Sequence, residues 1–267
     1  MTVRVIVTRP EGDAQRWVRD LAALGHAAVA LPLIQITPSH DAQAVIRAWQ
    51  ALDRYVAVMF VSGNAVQYFF ALKPPLAPAA VAQGALKIRA WAPGPGTADA
   101  LLKLGIDAAQ LDAPDPASAQ FDSESLWQRV GGQVRAGDRV LIVRGGDGAT
   151  GSFASAGLGR EWLANRILSA GGKVDFVVSY QRGVPCFSVA DRALACSASE
   201  DGSVWLLSST EAVANLRAWL PAQSWHHAKA LATHPRIAAA AKEAGFGVVQ
   251  ESRPTLNDVG VSIESMA

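Results

Sequence analysis

Two periodicities take turns along this chain. Short apolar runs rich in β-branched residues, such as 3–8, 56–61, 139–144 and 204–207, have the unbroken character of strands buried on both faces. Between them lie longer stretches whose apolar positions return at helical spacing, as at Trp17, Leu21 and Leu24 ahead of Gly25. Read in order, the pattern predicts strand 3–8, a helix ended by Gly25, a strand-like run over 27–38, a helix at about 41–52, strand 56–61, a helix at about 64–72, strand 88–92 and a helix at about 97–104. A loop rich in Asp, Pro and Ala follows over 112–120, then Asp122 as the N-cap of a helix at about 123–131, strand 139–144, and a helix over 160–170 stopped by Gly171-Gly172. Further on, helices at about 189–198, 210–219 and 235–244 alternate with strands 204–207, 229–233 and 247–250. Residues 254–258 have the composition of a cap before a short final helix, which Gly260 weakens. Such alternation predicts an α/β protein with parallel sheets covered by helices on both faces.

The stretch 172–185, GKVDFVVSYQRGVP, is a strand-like run ending in a Gly-Val-Pro breaker. The run 27–38, AAVALPLIQITP, is interrupted by Pro32 and followed by the polar helix start Ser39-His40-Asp41. Pairing of the two runs would carry the chain out of one lobe and back. The expected organisation is a split lobe, 1–35 plus 183–267, and a continuous lobe, 39–172, with 27–38 and 173–182 as inter-lobe strands.

Composition narrows the chemistry. The 267 residues are 50% hydrophobic and 18% charged, enough for well-filled cores. No apolar run reaches the roughly 18 residues of a membrane span, and the amino terminus opens on a strand without a signal pattern, so a cytoplasmic home is expected. The two cysteines, Cys186 and Cys196, make no metal or disulfide pattern and read as buried free thiols. A net charge of +1 and the lack of a basic tract interleaved with aromatics argue against nucleic acid. The chain also has eight tryptophans, for which the sequence suggests no functional role.

Two pairs of strand-to-helix corners echo each other. Ser62-Gly63-Asn64-Ala65-Val66 matches Ser209-Thr210-Glu211-Ala212-Val213, and the corner at 92–98 matches that at 232–238. In open parallel sheets ligands collect at the carboxyl ends of the strands, where helix amino termini offer unpaired N–H groups and positive dipole ends. One corner of each kind per lobe suggests a cleft with a wall from each, suited to a ligand with many carboxylates. Ser, Thr and Asn after a strand are also plain N-caps.

The sequence resembles the uroporphyrinogen-III synthase family almost end to end. The resemblance is carried, in order, by VTRPEGDAQRWVRDLAALGHAAVALPLIQI, FVSGNAV, GPGTADAL, FDSESL, REWLANRILSAGGKVDFVVSYQR, SSTEAVANL and HPRIAAAAKEAGF. It implies two flavodoxin-like lobes with parallel sheets flanked by helices, joined by a two-stranded crossing. It implies no metal and no organic cofactor, and a monomer acting on the linear tetrapyrrole hydroxymethylbilane. That polycarboxylate would be held largely by backbone amides and hydroxyls. The reaction implied is loss of the terminal hydroxyl as water to give an azafulvene, spiro attack at the substituted carbon of the last ring, and fragmentation and reclosure with that ring inverted. Because unassisted closure leaves the ring uninverted, much of the catalysis would be conformational, and single mutations would cause modest losses.

Carried over by position, the family's tyrosine falls on Tyr180, which would face the cleft and give a proton or hydrogen bond to the leaving hydroxyl. Its alternative role is a hinge tyrosine that packs a lobe interface. The substrate-binding candidates are Thr8 and Arg9 at the first corner, Ser62, Gly63 and Asn64 at another, Thr97, Arg144 and Arg182, and Ser208, Ser209 and Thr233. Thr97 equally suits a helix cap, and Arg160, another frequent family arginine, could pair with Glu161. Val61 replaces a hydroxyl residue common in relatives, and His234-Pro235-Arg236 stands where many have glycine. Two rival readings belong to other classes. A nucleotide enzyme is prompted by Gly94-Pro95-Gly96, which lacks the third glycine of a dinucleotide loop. A non-catalytic two-lobed sensor of a small acid would share the fold and show no turnover.

Overall fold

The computed structural model describes residues 3–75, 88–118, 120–147 and 158–266. The chain divides into two compact units, one made of Met1–Ile36 with Gly183–Ala267 and the other of Thr37–Arg182.

The first unit holds strands β1 (Arg4–Val7), β2 (Ala27–Ala30), β9 (Val204–Leu207), β10 (Lys229–Ala232) and β11 (Val248–Glu251) in the order β11-β10-β9-β1-β2, every pair parallel. Parallel neighbours need a crossover, and the helices supply it. These are α1 (Glu11–Ala23), α7 (Val189–Ala198), α8 (Thr210–Trp219), α9 (Pro235–Glu243) and α10 (Leu256–Met266). Alternate residues of each strand face opposite ways. Ile6, Trp205, Leu207 and Ala230 pack with α7, α8 and α9, while Val5, Val7, Val204 and Leu231 pack with α1 and α10. Gly25, at φ 87°, lets α1 end in a left-handed residue whose N–H donates to the carbonyl of Ala22.

The second unit has β3 (Gln35–Pro38), β4 (Ala57–Phe60), β5 (Arg89–Trp91), β6 (Leu111–Asp112), β7 (Arg139–Asp147) and β8 (Lys173–Gly183), ordered β3-β8-β7-β4-β5-β6. The pairs from β8 through β6 are parallel. Its helices are α2 (Ala42–Gln50), α3 (Gly63–Ala71), α4 (Pro95–Lys103), α5 (Ser123–Val130) and α6 (Leu158–Ser169). Met59, Trp91, Val140 and Ile142 pack against α5 and α6. On the other side Phe60 meets Phe69 and Phe70 of α3, and Trp49 of α2 stacks on Phe69 at 4.5 Å.

Two expectations are corrected, for the 27–38 run and for the cysteines, and two points left open, the final helix and the tryptophans, are settled. The run 27–38 is two strands, not one: β2 lies in the first sheet and β3 beside β8 in the second. Pro32 has no N–H to give, and around it Leu31 N–H bonds the carbonyl of Val7 at 2.9 Å and Leu33 N–H that of Thr8 at 3.3 Å. Leu31, Leu33 and Ile34 are buried in the first unit's core, and Asn215 Nδ2 donates to the Leu33 carbonyl at 2.8 Å. The final helix is three turns long despite Gly260, whose bare Cα faces Leu24 and His26; a Cβ there would lie 3.3 Å from Leu24 Cδ1. The cysteines are free, but Cys186 is exposed, in the coil between β8 and α7, and Cys196 is partly exposed. The tryptophans are largely core: Trp49, Trp91 and Trp205 are fully buried, and Trp205 Nε1 donates to the Ala198 carbonyl at 3.0 Å.

Candidate active site

In the second unit the site is built around the end of β4. Ser62, in extended backbone at φ −165°, caps α3 by accepting the Ala65 N–H at 3.2 Å. Its Oγ also lies 3.1 Å from the hydroxyl of Tyr180 on β8. The approach depends on an irregularity in the β7–β8 ladder. Arg144 pairs with Val178, but Gly145 pairs with Tyr180, so Ser179 is an extra residue on β8. Ser179, fully buried, donates to the Ala65 carbonyl at 3.3 Å, and the next residue, Tyr180, also reaches α3. The bulge thus turns two consecutive side chains toward one helix.

Tyr180 is 4% exposed, and its ring lies across Gly145, where a Cβ would come within 2.6 Å of Cε2 and Cζ. Only glycine admits the ring there. Gly146 stands in the same relation to the amide of Gln181. Tyr68 of α3 flanks the Tyr180 ring with centroids 6.1 Å apart.

Helices α3 and α4 begin side by side: a Cβ on Gly63 would lie 3.6 Å from the Gly96 carbonyl oxygen. Asn64, half-buried, is in the first turn of α3, and Thr97, 6% exposed, in that of α4, where its N–H bonds the Gly94 carbonyl. Arg144 is 7% exposed, with its guanidinium 5.3 Å over the Phe176 ring, and Arg182 is half-buried near the end of β8. The side chain of Arg160 lies outside the described residues.

In the first unit three hydroxyl residues follow adjacent strands. Thr8, after β1, is buried and its Oγ1 donates to the Leu206 carbonyl at 2.8 Å. Thr233, after β10, makes the matching but longer contact to the Leu207 carbonyl, 3.5 Å. Ser208, half-buried, lies between them at the end of β9, and Ser209 caps α8 by accepting the Glu211 N–H at 3.2 Å. His234 is also a cap: its Nδ1 accepts the Arg236 N–H at 3.1 Å. Arg9 lies 4.4 Å over the Trp17 ring. Burial pulls its pKa down to about 10, against the pull of Asp13 and with a smaller push from Arg16.

The candidate residues therefore gather into two groups. Tyr180, Ser62, Gly63, Asn64 and Thr97 cluster at one end of the second unit's sheet, and Thr8, Arg9, Ser208, Ser209 and Thr233 at one end of the first unit's. Hydroxyls, backbone N–H groups and a few guanidinium groups are all donors, suited to carboxylates. Among the described residues no group of three or more His, Cys, Asp or Glu side chains could hold a metal ion. Sequence reasoning missed Ser179, Gly145, Gly146 and Tyr68. The adjacent glycines after an apolar strand were a readable sign of close approach; nothing local marked Ser179.

A family model described as uroporphyrinogen-III synthase HemD matches residues 15–259. A uroporphyrinogen-III synthase of Chlorobaculum parvum is 29% identical over 143 residues, 53% of this chain and 52% of that protein, so the matched stretch spans about half of that relative. Among solved structures, the uroporphyrinogen-III synthetase of Helicobacter pylori superposes with a TM-score of 0.59 at 14% identity, covering 100% of both chains. A mutant uroporphyrinogen III synthase of Thermus thermophilus gives 0.55 at 16% identity, covering 99% of this chain and 98% of that one. These structural likenesses concern the fold. Matched by the family model over most of its length, the chain belongs to the uroporphyrinogen-III synthase family.

Proposed function

We propose that this protein converts hydroxymethylbilane to uroporphyrinogen III, losing water and inverting the last pyrrole ring, with no metal or organic cofactor. Family membership supports the activity, and the Tyr180 hydroxyl is the observation that carries the mechanism. The ring is buried, and among the described residues the hydroxyl meets Ser62 Oγ alone. A phenol so held can give its proton to the substrate's terminal hydroxyl. The C–O bond breaks, its electron pair leaves with the oxygen as water, and the pyrrole nitrogen supplies the electrons of the azafulvene. Spiro attack, fragmentation and reclosure follow, and the proton released on final closure restores the phenol.

The donors we propose for the substrate's carboxylates are Thr8, Arg9, Ser208, Ser209 and Thr233 in the first unit and Ser62, Gly63, Asn64, Thr97, Arg144 and Arg182 in the second. The enzyme works as a cytoplasmic monomer without nucleic acid, in keeping with its net charge of +1. The test is an assay with freshly generated hydroxymethylbilane, with the oxidised products separated into type I and type III porphyrins. Mostly type III from the wild type and a loss of about tenfold in Tyr180→Phe are expected, positioning carrying the rest of the rate. Unchanged type I on adding protein would overturn the proposal and favour a sensor.

A further inference from the structure

The Ser62–Tyr180 contact leaves open which oxygen donates, and the surroundings decide it. Ser62 Oγ already accepts the Ala65 N–H at the amino end of α3. An oxygen that accepts a hydrogen bond becomes a better donor through its own O–H, and the helix dipole adds to that polarisation. Among the described residues the only acceptor that Ser62 reaches is the Tyr180 oxygen. With Ser62 donating, the Tyr180 proton is left for another acceptor; with the roles reversed, the phenol proton would be spent on Ser62, and among the described residues the Ser62 hydrogen would have no acceptor.

We infer that Ser62 is a positioning residue that fixes the direction of the Tyr180 proton, through the chain Ala65 N–H to Ser62 O–H to Tyr180 O–H. This rests on the reading of Tyr180 as proton donor to the leaving hydroxyl. The bulge at Ser179 and the bare Cα of Gly145 serve the same end, because they bring the phenol to the serine that caps α3.

Ser62→Asp is the informative variant. Aspartate caps a helix as well as serine does, but as a carboxylate it only accepts, so it draws the phenol proton inward. Ser62→Thr keeps both cap and donor. The expected results are a Ser62→Asp protein that melts with the wild type yet has a kcat for type III product about tenfold lower, separate from any rise in KM from the added charge, and a Ser62→Thr protein that recovers most of that kcat. In a Tyr180→Phe background Ser62→Asp should add no further loss in kcat. A second readout needs no turnover. The chain has three tyrosines, so 3-fluorotyrosine labelling gives a fluorine resonance for position 180, assigned by its absence in Tyr180→Phe. That resonance should keep its place in Ser62→Thr and move in Ser62→Asp. A resonance unmoved by Ser62→Asp, a fully active Ser62→Asp, or additive losses in the double variant would overturn the inference while the synthase reading stands. A wild type that makes no type III product would overturn both.

Discussion

The phenol of Tyr180 and the hydroxyl of Ser62 are 3.1 Å apart although 118 positions separate them in the chain. One residue caps a helix and the other follows an extra residue in a strand, so the distance joins three local features: the α3 amino terminus, the β8 bulge and the Gly145 gap. None of the three is needed for an α/β sheet as such. A regular β7–β8 ladder would keep the hydrogen bonds and turn Tyr180 to the opposite face.

Gly145→Ala tests that joint. The added methyl would sit where the Tyr180 ring lies, 2.6 Å from Cε2 and Cζ, and Gly145 is in a strand, so the backbone itself tolerates alanine. The expected cost is about 1–3 kcal/mol of stability, the range for overpacking. A fall in type III formation at least as large as that of Tyr180→Phe should accompany it. Urea denaturation and the isomer assay, run on one preparation, check both.

Thr8 and Thr233 make the same contact at different lengths, 2.8 and 3.5 Å, and the shorter one is a real hydrogen bond whereas the longer lies at the limit of one. Thr8→Val should therefore cost about 1 kcal/mol in stability and raise KM less than Thr233→Val does, because its hydroxyl is already committed to the Leu206 carbonyl. Thr233→Val should cost less stability and raise KM, because its hydroxyl is freer for substrate. Denaturation midpoints and KM, measured for both variants, give the comparison.

The fold was legible because its signals are local. Buried β-branched runs, Gly25 after α1 and Asp122 before α5 each announce an element from neighbouring residues alone, and the corners at Ser62 and Ser209 could be aligned by eye. What failed to show depends on partners distant in the chain. Pro32 did not reveal that β2 and β3 enter different sheets, since that is decided by the burial of Leu31 and Leu33. Gly260 looked like a helix breaker because its reason, the approach of Leu24, comes from another helix. Ser179 carried no sign at all: a bulge is a mismatch between two strands, and one strand cannot display it.

Arg9 is held over Trp17 with its pKa drawn down to about 10 by burial. The charged form is thus the one disfavoured in the folded protein. The sign follows: from about 10 up to the ordinary arginine range the unfolded chain binds more protons, so stability rises with pH there, and below about 10 the desolvation cost is fully present. Arg9→Met, which keeps an apolar stem over the indole, should be no less stable than the wild type at pH 7. If Arg9 holds a substrate carboxylate, KM should rise about tenfold, the loss of one charge-assisted hydrogen bond. Thermal melts at pH 7 and steady-state kinetics measure the two effects separately.

Tyr55, Asp175 and Arg139 form a cluster in the second unit away from the proposed chemistry. The Tyr55 hydroxyl donates to Asp175 Oδ2 at 3.0 Å, and Arg139 bonds the same carboxylate oxygen at 2.6 Å. Burial, then the bond to the carboxylate, push the Tyr55 pKa up to about 12 from 10.0. A folded-state pKa raised above the unfolded value gives stability that is complete below about pH 10 and is lost as pH climbs from 10 toward 12, where the unfolded chain alone gives up the proton. Tyr55→Phe removes both the hydrogen bond and the titration. The variant should be less stable than the wild type at pH 8, by about 1 kcal/mol for a half-exposed contact, and the gap should narrow as the pH is raised through 10 and 11. Urea denaturation at a series of alkaline pH values would show it; a gap that stays constant with pH would mean that Tyr55 ionises in the native protein as readily as in the unfolded chain.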